Sequence, residues 1–484
     1  MTLSRLCADT FVRCFGDAGY ITSQLTKADR LFDESGAIFL RALSRVPQTD
    51  EQLAYTIAQS FLGTDQNIIE PDVQDFLIGL AADGFIVRGA SPAELDSAEP
   101  RFSYANADKI VAEKLRLALP LDADNATALS DTQTELSRRT VDKPLLFSLQ
   151  VEFTSACNEK CRHCYLPPNR NQGHADPALV RKAIDEYAAI GGLSFAIGGG
   201  ECMLHPQFAE LLAYARNKDL SVTVLSNLTR MNDRLLDAIR AARLCQIQAS
   251  VYSMIPAEHD HITNIPGSLS ATLAAIDRLV AADVPVQISC PVMRSNYTSY
   301  KDVLTWAQTL GMKAQTDFIM MARSDFTTDN LSERLDDPQT CHLLRDMLAT
   351  DKDYDALLGD LSHPLDCPNA PVCGVGRDTL TVGANGMCYP CAGWQGMNVG
   401  DLNTQSLADI WWNSTELAKL RKIKKADFPQ CLSCLDRQYC AMCLVRNFNE
   451  SGGDMMKVNE RFCQVARLNR EVVEKWRSSG LPSA

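Results

Sequence analysis

No stretch of the sequence approaches the roughly 18 consecutive apolar residues that a membrane-spanning helix requires. The N-terminus, MTLSRLCADTFVRCFGDAG, also lacks the apolar core of a secretory signal. Together these absences lead to the expectation of a cytoplasmic protein with no membrane partner. Basic residues are in deficit, 47 Lys and Arg against 60 Asp and Glu, for a net charge of −13. That is a poor footprint for nucleic acid, so none is expected as a partner. Charged residues are only 22% and hydrophobic ones 46%, which excludes a mainly disordered chain. Histidine is scarce too, with seven in 484 residues. What is plentiful is cysteine.

Eighteen cysteines in a reducing compartment argue against a disulfide framework and for metal ligation or catalysis. Nine of them lie between Cys367 and Cys463, and three form the tight group Cys157, Cys161 and Cys164. The scattered remainder (Cys7, Cys14, Cys202, Cys245, Cys290, Cys341) read as small buried hydrophobes.

The length suits about three domains. Residues 1–95 read as a winged-helix-like α+β unit with no catalytic cluster, which makes binding its expected role. DTFVRCFGDAGYITSQL has hairpin content, SGAIFLRALSRV a helix capped by Ser35, and TDEQLAYTIAQSFL a helix capped by Thr49. EPDVQDFLIGLAADG adds a helix with Pro71 near its start, and FIVRG a strand. Residues 96–143 read as a connector, with SPAELDSAEP as linker and NADKIVAEKLRLAL as one possible helix. Across 144–330, six strand patterns alternate with helical ones, the signature of an α/β fold with a parallel sheet: a partial (β/α)6 barrel of the TIM type. From 331 to 484 regular patterning fades and the second cysteine field begins.

The first barrel strand runs into TSACNEKCRHCYLPP, which offers three thiols within eight residues. A zinc site completed by His163 or His174 is the competing reading. Position weighs against it. Function in such barrels sits at the carboxyl ends of the strands. There the cysteine loop follows strand one, Gly198-Gly199-Gly200-Glu201 strand two, Ser226-Asn227 strand three and Ser250-Val251-Tyr252 strand four. The glycines are expected to let a ligand approach the backbone. Three thiolates can hold three irons of a 4Fe–4S cube and leave the fourth open.

With CxxxCxxC after strand one and GGE after strand two, residues 145–321 resemble the radical S-adenosylmethionine (SAM) superfamily. The resemblance implies that Cys157, Cys161 and Cys164 bind a 4Fe–4S cluster whose free iron chelates SAM. It also implies that Gly199, Gly200 and Glu201 contact the SAM amino group, and that Ser250, or less directly Asn227, contacts the ribose. Reductive cleavage of SAM would then yield a 5′-deoxyadenosyl radical.

The second field comprises Cys367, Cys373, Cys388, Cys391, Cys431, Cys434, Cys440, Cys443 and Cys463. Read alone, its CxxC pairs suit a zinc ribbon. Nine cysteines without companion histidines suit two clusters of four thiolates better. The field resembles the SPASM extension of radical SAM peptide maturases, which interleaves its ligands. The resemblance implies one auxiliary cluster on Cys367, Cys373, Cys391 and Cys443 and another on Cys431, Cys434, Cys440 and Cys463, hence three 4Fe–4S clusters in all. Gly386-x4-Cys391 matches the family's GxxxxC element, which leaves Cys388 as the spare. Cys440-x2-Cys443 is one residue shorter than the family's common spacing.

Residues 10–88 resemble the RiPP recognition element, a leader-binding module related to the pyrroloquinoline quinone chaperone. An edge strand such as RCFGDAG or YITSQL would accept an extended peptide by strand addition. The resemblances together imply an oxidoreductase that modifies a ribosomally made precursor peptide, forming a thioether or C–C crosslink, with flavodoxin or ferredoxin as electron donor. Formylglycine formation of the sulfatase-maturase kind ranks lower, because Ala392 stands where that group has an Asp. Peptide epimerisation would need a thiol donor among Cys202, Cys245, Cys290 or Cys341. An electron-transfer scaffold without enzymatic activity would leave Gly199, Gly200 and Glu201 without purpose. The basic run Lys419, Arg421, Lys422, Lys424 and Lys425 reads as a solvated helix face. His259 and His261 read as polar residues of the loop after strand four, and Trp411-Trp412 as packing residues.

Overall fold

The computed structural model describes residues 2–478 apart from 62–64, 107–131, 133–143, 171–172, 351–367 and 441. The N-terminal unit contains two small sheets. In one, β1 (Leu3–Leu6) is central; in the other, β2 (Thr10–Phe15), β3 (Ala18–Ser23) and β4 (Asp29–Phe32) run antiparallel with β3 in the middle. The partners of β1 are β5 (Gln48–Thr49) and β6 (Ile86–Gly89), the latter being the FIVRG strand. Helices Glu34–Ala42, Asp50–Ala58 and Gln66–Ala82 enclose a core of Ile21, Leu40, Leu53, Ile57, Val73, Leu77 and Phe85.

Helix starts follow the side chain that reaches the free backbone N–H groups. Thr49 forms the expected cap, with a full capping box to Gln52. The first helix is capped by Asp33 rather than Ser35, whose hydroxyl instead donates to Asp33 at 2.8 Å. The third begins at Gln66 under Asp65, upstream of the expected start, so Pro71 lies inside it. SPAELDSAEP is not linker: Ser91 caps a helix, Pro92–Ala98, with Pro in its first turn. NADKIVAEKLRLAL lies largely outside the described residues.

The six expected strands form one parallel sheet in sequential order: β7 (Ser148–Thr154), β8 (Ser194–Gly199), β9 (Ser221–Ser226), β10 (Gln246–Ser250), β11 (Val286–Ser289) and β12 (Lys313–Gln315). Leu149, Val151 and Phe153 of β7 join the core with residues of the outer helices. By the two-residue period, Gln150 and Glu152 face the other way, into the barrel. β12 is shorter than KAQTDFIMM suggests. Beyond it the chain keeps contact through the Val292 N–H on the Asp317 carbonyl at 2.8 Å, without a regular ladder.

Regular structure does not fade after residue 330. β13 (Thr379–Val382) pairs in parallel with β7, and β14 (Met387–Tyr389) and β15 (Gly400–Asp401) follow antiparallel. The cysteine-rich region is thus built onto the first barrel strand, and one nine-stranded sheet crosses the expected domain boundary. Strands this short carry too few residues for a visible period.

Candidate active site at the carboxyl rim

The cysteine loop leaves β7 after Thr154 and is pinned from two sides. The residues expected as a loop after β10 form a helix, Pro256–Thr263. Its terminal carbonyls, which have no partner within the helix, accept the Arg162 N–H on Ile262 at 2.9 Å and the Lys160 N–H on Thr263 at 3.0 Å. From the other side Arg323, 7% exposed, donates to the carbonyls of Cys164 and Leu166 at 3.1 Å each. Its charge is balanced by Asp329 at 2.8 Å. Sequence reasoning did not single out Arg323, because its targets lie far away along the chain.

Cys157, Cys161 and Cys164 come together on this loop. Burial pushes the Cys157 thiol up to about 11, aided by the charges of Glu201, Glu159 and Cys164. Burial raises Cys161 well above its ordinary value, with Glu159, Cys164 and Cys157 adding to it. Among the described residues, no three His, Cys, Asp or Glu side chains close around a point that would hold a single metal ion. The three thiols are close enough to feel one another's charge. A bound cluster would supply the positive charge that favours the thiolates.

The glycines after β8 are also required by the protein's own packing. A Cβ on Gly199 would stand 2.1 Å from the Thr154 carbonyl oxygen, and one on Gly200 2.0 Å from that of Ala156. The space is filled by the cysteine loop's own backbone, which accepts the Gly200 and Glu201 N–H groups at 2.8 and 2.9 Å. Glu201 is fully buried. Its carboxylate accepts Ser226 Oγ and the Asn227 N–H at 2.8 Å each and the Met203 N–H at 3.0 Å. Asn227 Oδ1 in turn accepts the N–H and hydroxyl of Thr229, and its Nδ2 donates to Asn158. Glu201 and Asn227 thus tie three strand ends together. Ser250 is half-buried at the end of β10.

His259 is buried, not a surface loop residue. Its Nδ1 stands 3.1 Å from Ser268 Oγ, and burial lowers it to about 4. Its ring and that of His163 lie against Tyr252, at 5.3 and 4.9 Å between centroids. Burial likewise lowers His163 to about 4. His261 contributes its carbonyl to Arg162 Nε at 3.0 Å. Glu152, also missed, is a buried carboxylate facing the barrel interior, bonded by Gln395 Nε2 at 2.6 Å. Burial raises its pKa, against the opposing charge of Arg170.

In the second field the thiols sort into two groups. Burial pushes Cys373 up to about 11, with Cys443 and Cys391 as charged neighbours. Cys440 rises to about 11 by burial, and its neighbours are Cys463, Cys431 and Cys434. Cys443 therefore keeps company with Cys373 and Cys391, although Cys440 is nearer in sequence. Cys388 is fully buried on β14, paired with Val382. Cys367 lies outside the described residues. Of the possible thiol donors, Cys202 and Cys290 are fully buried, Cys245 faces Lys27 at the opposite end of the barrel, and Cys341 packs among apolar residues of a separate cluster. Arg421 does not sit on a solvated face: it stacks on Trp411 and donates to the Gly376 and Trp411 carbonyls. Trp411 is buried as expected, while Trp412 is 38% exposed.

Residues 151–320 match the family model of the radical SAM superfamily, and residues 373–435 match that of the iron–sulfur cluster-binding SPASM domain. The chain is an enzyme that carries a radical SAM domain. Those two domains imply SAM and iron–sulfur clusters as its cofactors. It is 25% identical over 324 residues to an AdoMet-dependent heme synthase of Methanosarcina barkeri, covering 62% of this chain and 92% of that protein. It is also 25% identical over 323 residues to the antilisterial bacteriocin subtilosin biosynthesis protein AlbA of Bacillus subtilis, covering 64% and 69%. In fold it resembles Streptococcus suis SuiB bound to precursor peptide SuiA, with a TM-score of 0.59 at 14% identity, covering 95% of this chain and all of that one. Among the described residues no helix is long and apolar enough to cross a membrane.

Proposed function

We propose that this radical SAM enzyme modifies a ribosomally made precursor peptide, most directly by a thioether or C–C crosslink. Its leader would be held on the N-terminal unit. In this reading Cys157, Cys161 and Cys164 hold the SAM-binding cluster, and two auxiliary clusters take the interleaved sets given above. When bound, the cluster and SAM supply the radical that abstracts a substrate hydrogen. The protein's part is positional: Glu201 and Asn227 fix the rim, Arg323 fixes the cysteine loop, and the buried surroundings keep water away.

The observation that carries the peptide reading is a free sheet edge. β3 is interior to its sheet and cannot accept a further strand, which removes YITSQL as a docking edge. β2 faces the barrel through Phe11 and Arg13. Among the described residues β4 pairs only with β3. Beside β4 runs helix Gln66–Ala82, joined to it by the Phe32–Phe76 ring contact at 5.4 Å and the Arg30–Asp83 pair. The helix also exposes Asp72, Asp75 and Ile78, and a Cβ on Gly79 would meet nothing within 4 Å. An extended segment with an apolar and a basic side chain suits this groove.

The heme synthase relatives favour a second reading, chemistry on a tetrapyrrole. Co-expression with each short peptide encoded beside this chain's gene separates the two. The first reading expects loss of two hydrogens per crosslink in one peptide. Unchanged peptides together with altered porphyrins would favour the second.

A further inference from the structure

The N-terminal unit is fixed to the end of the barrel opposite the candidate site. Arg13 donates to the carbonyl of Gly192 at 2.9 Å and pairs with Asp219 at 3.0 Å, and Arg45 also reaches Asp219. Gln24 Nε2 donates to the Arg243 carbonyl at 2.7 Å, and Arg243 pairs with Asp9. Phe11 and Tyr20 pack with Leu193, and the Tyr20 ring meets Phe147 edge-on at 5.9 Å. Every barrel residue in this set precedes a strand: Phe147 before β7, Gly192 and Leu193 before β8, Asp219 before β9, Arg243 before β10. The cysteine loop, Glu201, Asn227 and Tyr252 all follow the same strands. The clamp and the chemistry are therefore separated by the height of the sheet.

We infer that the substrate is a precursor whose leader-binding segment and first modified residue are separated by a spacer of minimum length. This rests on the peptide reading above. β8 has six residues, Ser194–Gly199, which span about 17 Å at roughly 3.3 Å per residue. An extended chain covers at most about 3.5 Å per residue, so a straight path needs about five residues. A path outside the barrel also clears a helix layer of about 10 Å, which brings the spacer to about eight. A shorter spacer lets the leader bind but keeps the core segment from the rim of the same molecule. The ion pairs and the apolar contact act together, so the unit does not swing upward to shorten the path.

The test uses the reconstituted holoenzyme and the synthetic peptide, from those encoded beside the gene, that the co-expression experiment finds modified. One version keeps the native spacer; another has it cut to four residues. Binding is read by fluorescence anisotropy and modification by mass spectrometry. The expected result is equal binding by both, with modification of the short version reduced by about a hundredfold or more, as for any linker that cannot span its sites. Residual modification should grow in proportion to enzyme concentration, because a second molecule must supply the rim. Equal binding with undiminished, concentration-independent modification of the short peptide overturns the spacer and leaves the peptide reading intact. Failure of every encoded peptide to bind or change overturns both.

Discussion

The Glu201 carboxylate, after the second barrel strand, accepts the backbone N–H of Asn227, after the third, at 2.8 Å. With Ser226 Oγ and the Met203 N–H also donating to it, both oxygens are engaged and the side chain is fully buried. In Glu201→Gln an amide N–H must face one of these donors. The expected cost is about 1–3 kcal/mol of stability, with weaker SAM binding because the strand ends lose their tie. Denaturant unfolding and calorimetric titration with SAM check this, and a variant unchanged in both would contradict it.

The two groups of thiols in the C-terminal field predict separable losses. Cys443→Ala should disturb the same cluster signal as Cys373→Ala and Cys391→Ala, while Cys440→Ala should disturb that of Cys431→Ala and Cys463→Ala. Each variant should retain about four fewer irons per chain. Cys388→Ala should keep its iron and lose only some stability, since it empties part of a core position. Iron analysis with electron paramagnetic resonance of each variant decides. A loss of iron in Cys388→Ala would reverse the choice between Cys388 and Cys391.

Arg323 holds two carbonyls of the cysteine loop from a buried position. Arg323→Met should leave those carbonyls without their donor and Asp329 without its partner. A cost of roughly 2–3 kcal/mol follows from two charge-assisted bonds. The readout is the rate at which a chelator strips iron from the reconstituted protein, which should rise. An unaltered rate would show that the loop holds itself.

His259 gives the apoprotein an acid sensitivity whose sign is fixed. Its folded value, about 4, lies below the ordinary 6.5 because burial opposes the charged ring. Between those values the unfolded chain binds the extra proton, so stability falls as pH drops from 6.5 towards 4, and nothing is lost above 6.5. At roughly 1.4 kcal/mol per unit, the loss from pH 7 to pH 5 is about 2 kcal/mol. His259→Asn should show a loss smaller by that amount in urea unfolding at the two pH values. Parallel losses in the parent and the variant would contradict the assignment.

The barrel was legible in the sequence because each strand and helix carries its own period, and SVTVLS matches β9 residue for residue. The grouping of Cys157, Cys161 and Cys164 was legible because seven residues of chain cannot take them far apart. What sequence reasoning missed depends on partners distant along the chain. Arg323 reaches the cysteine loop from beyond the sixth strand, Glu152 meets Gln395 from the C-terminal field, and β13 extends a sheet begun more than two hundred residues earlier. The packing role of the GGE glycines was not legible in the sequence. Their neighbours are carbonyls of the protein itself, which no local pattern reveals.

The most direct test of the central claim is anaerobic incubation of the reconstituted chain with dithionite and SAM, with 5′-deoxyadenosine measured by chromatography. The account predicts its formation by the parent, enhancement by the cognate peptide, and none from Cys157→Ala. Absence of 5′-deoxyadenosine from a fully iron-loaded parent with that peptide, or its undiminished formation by Cys157→Ala, would contradict the account.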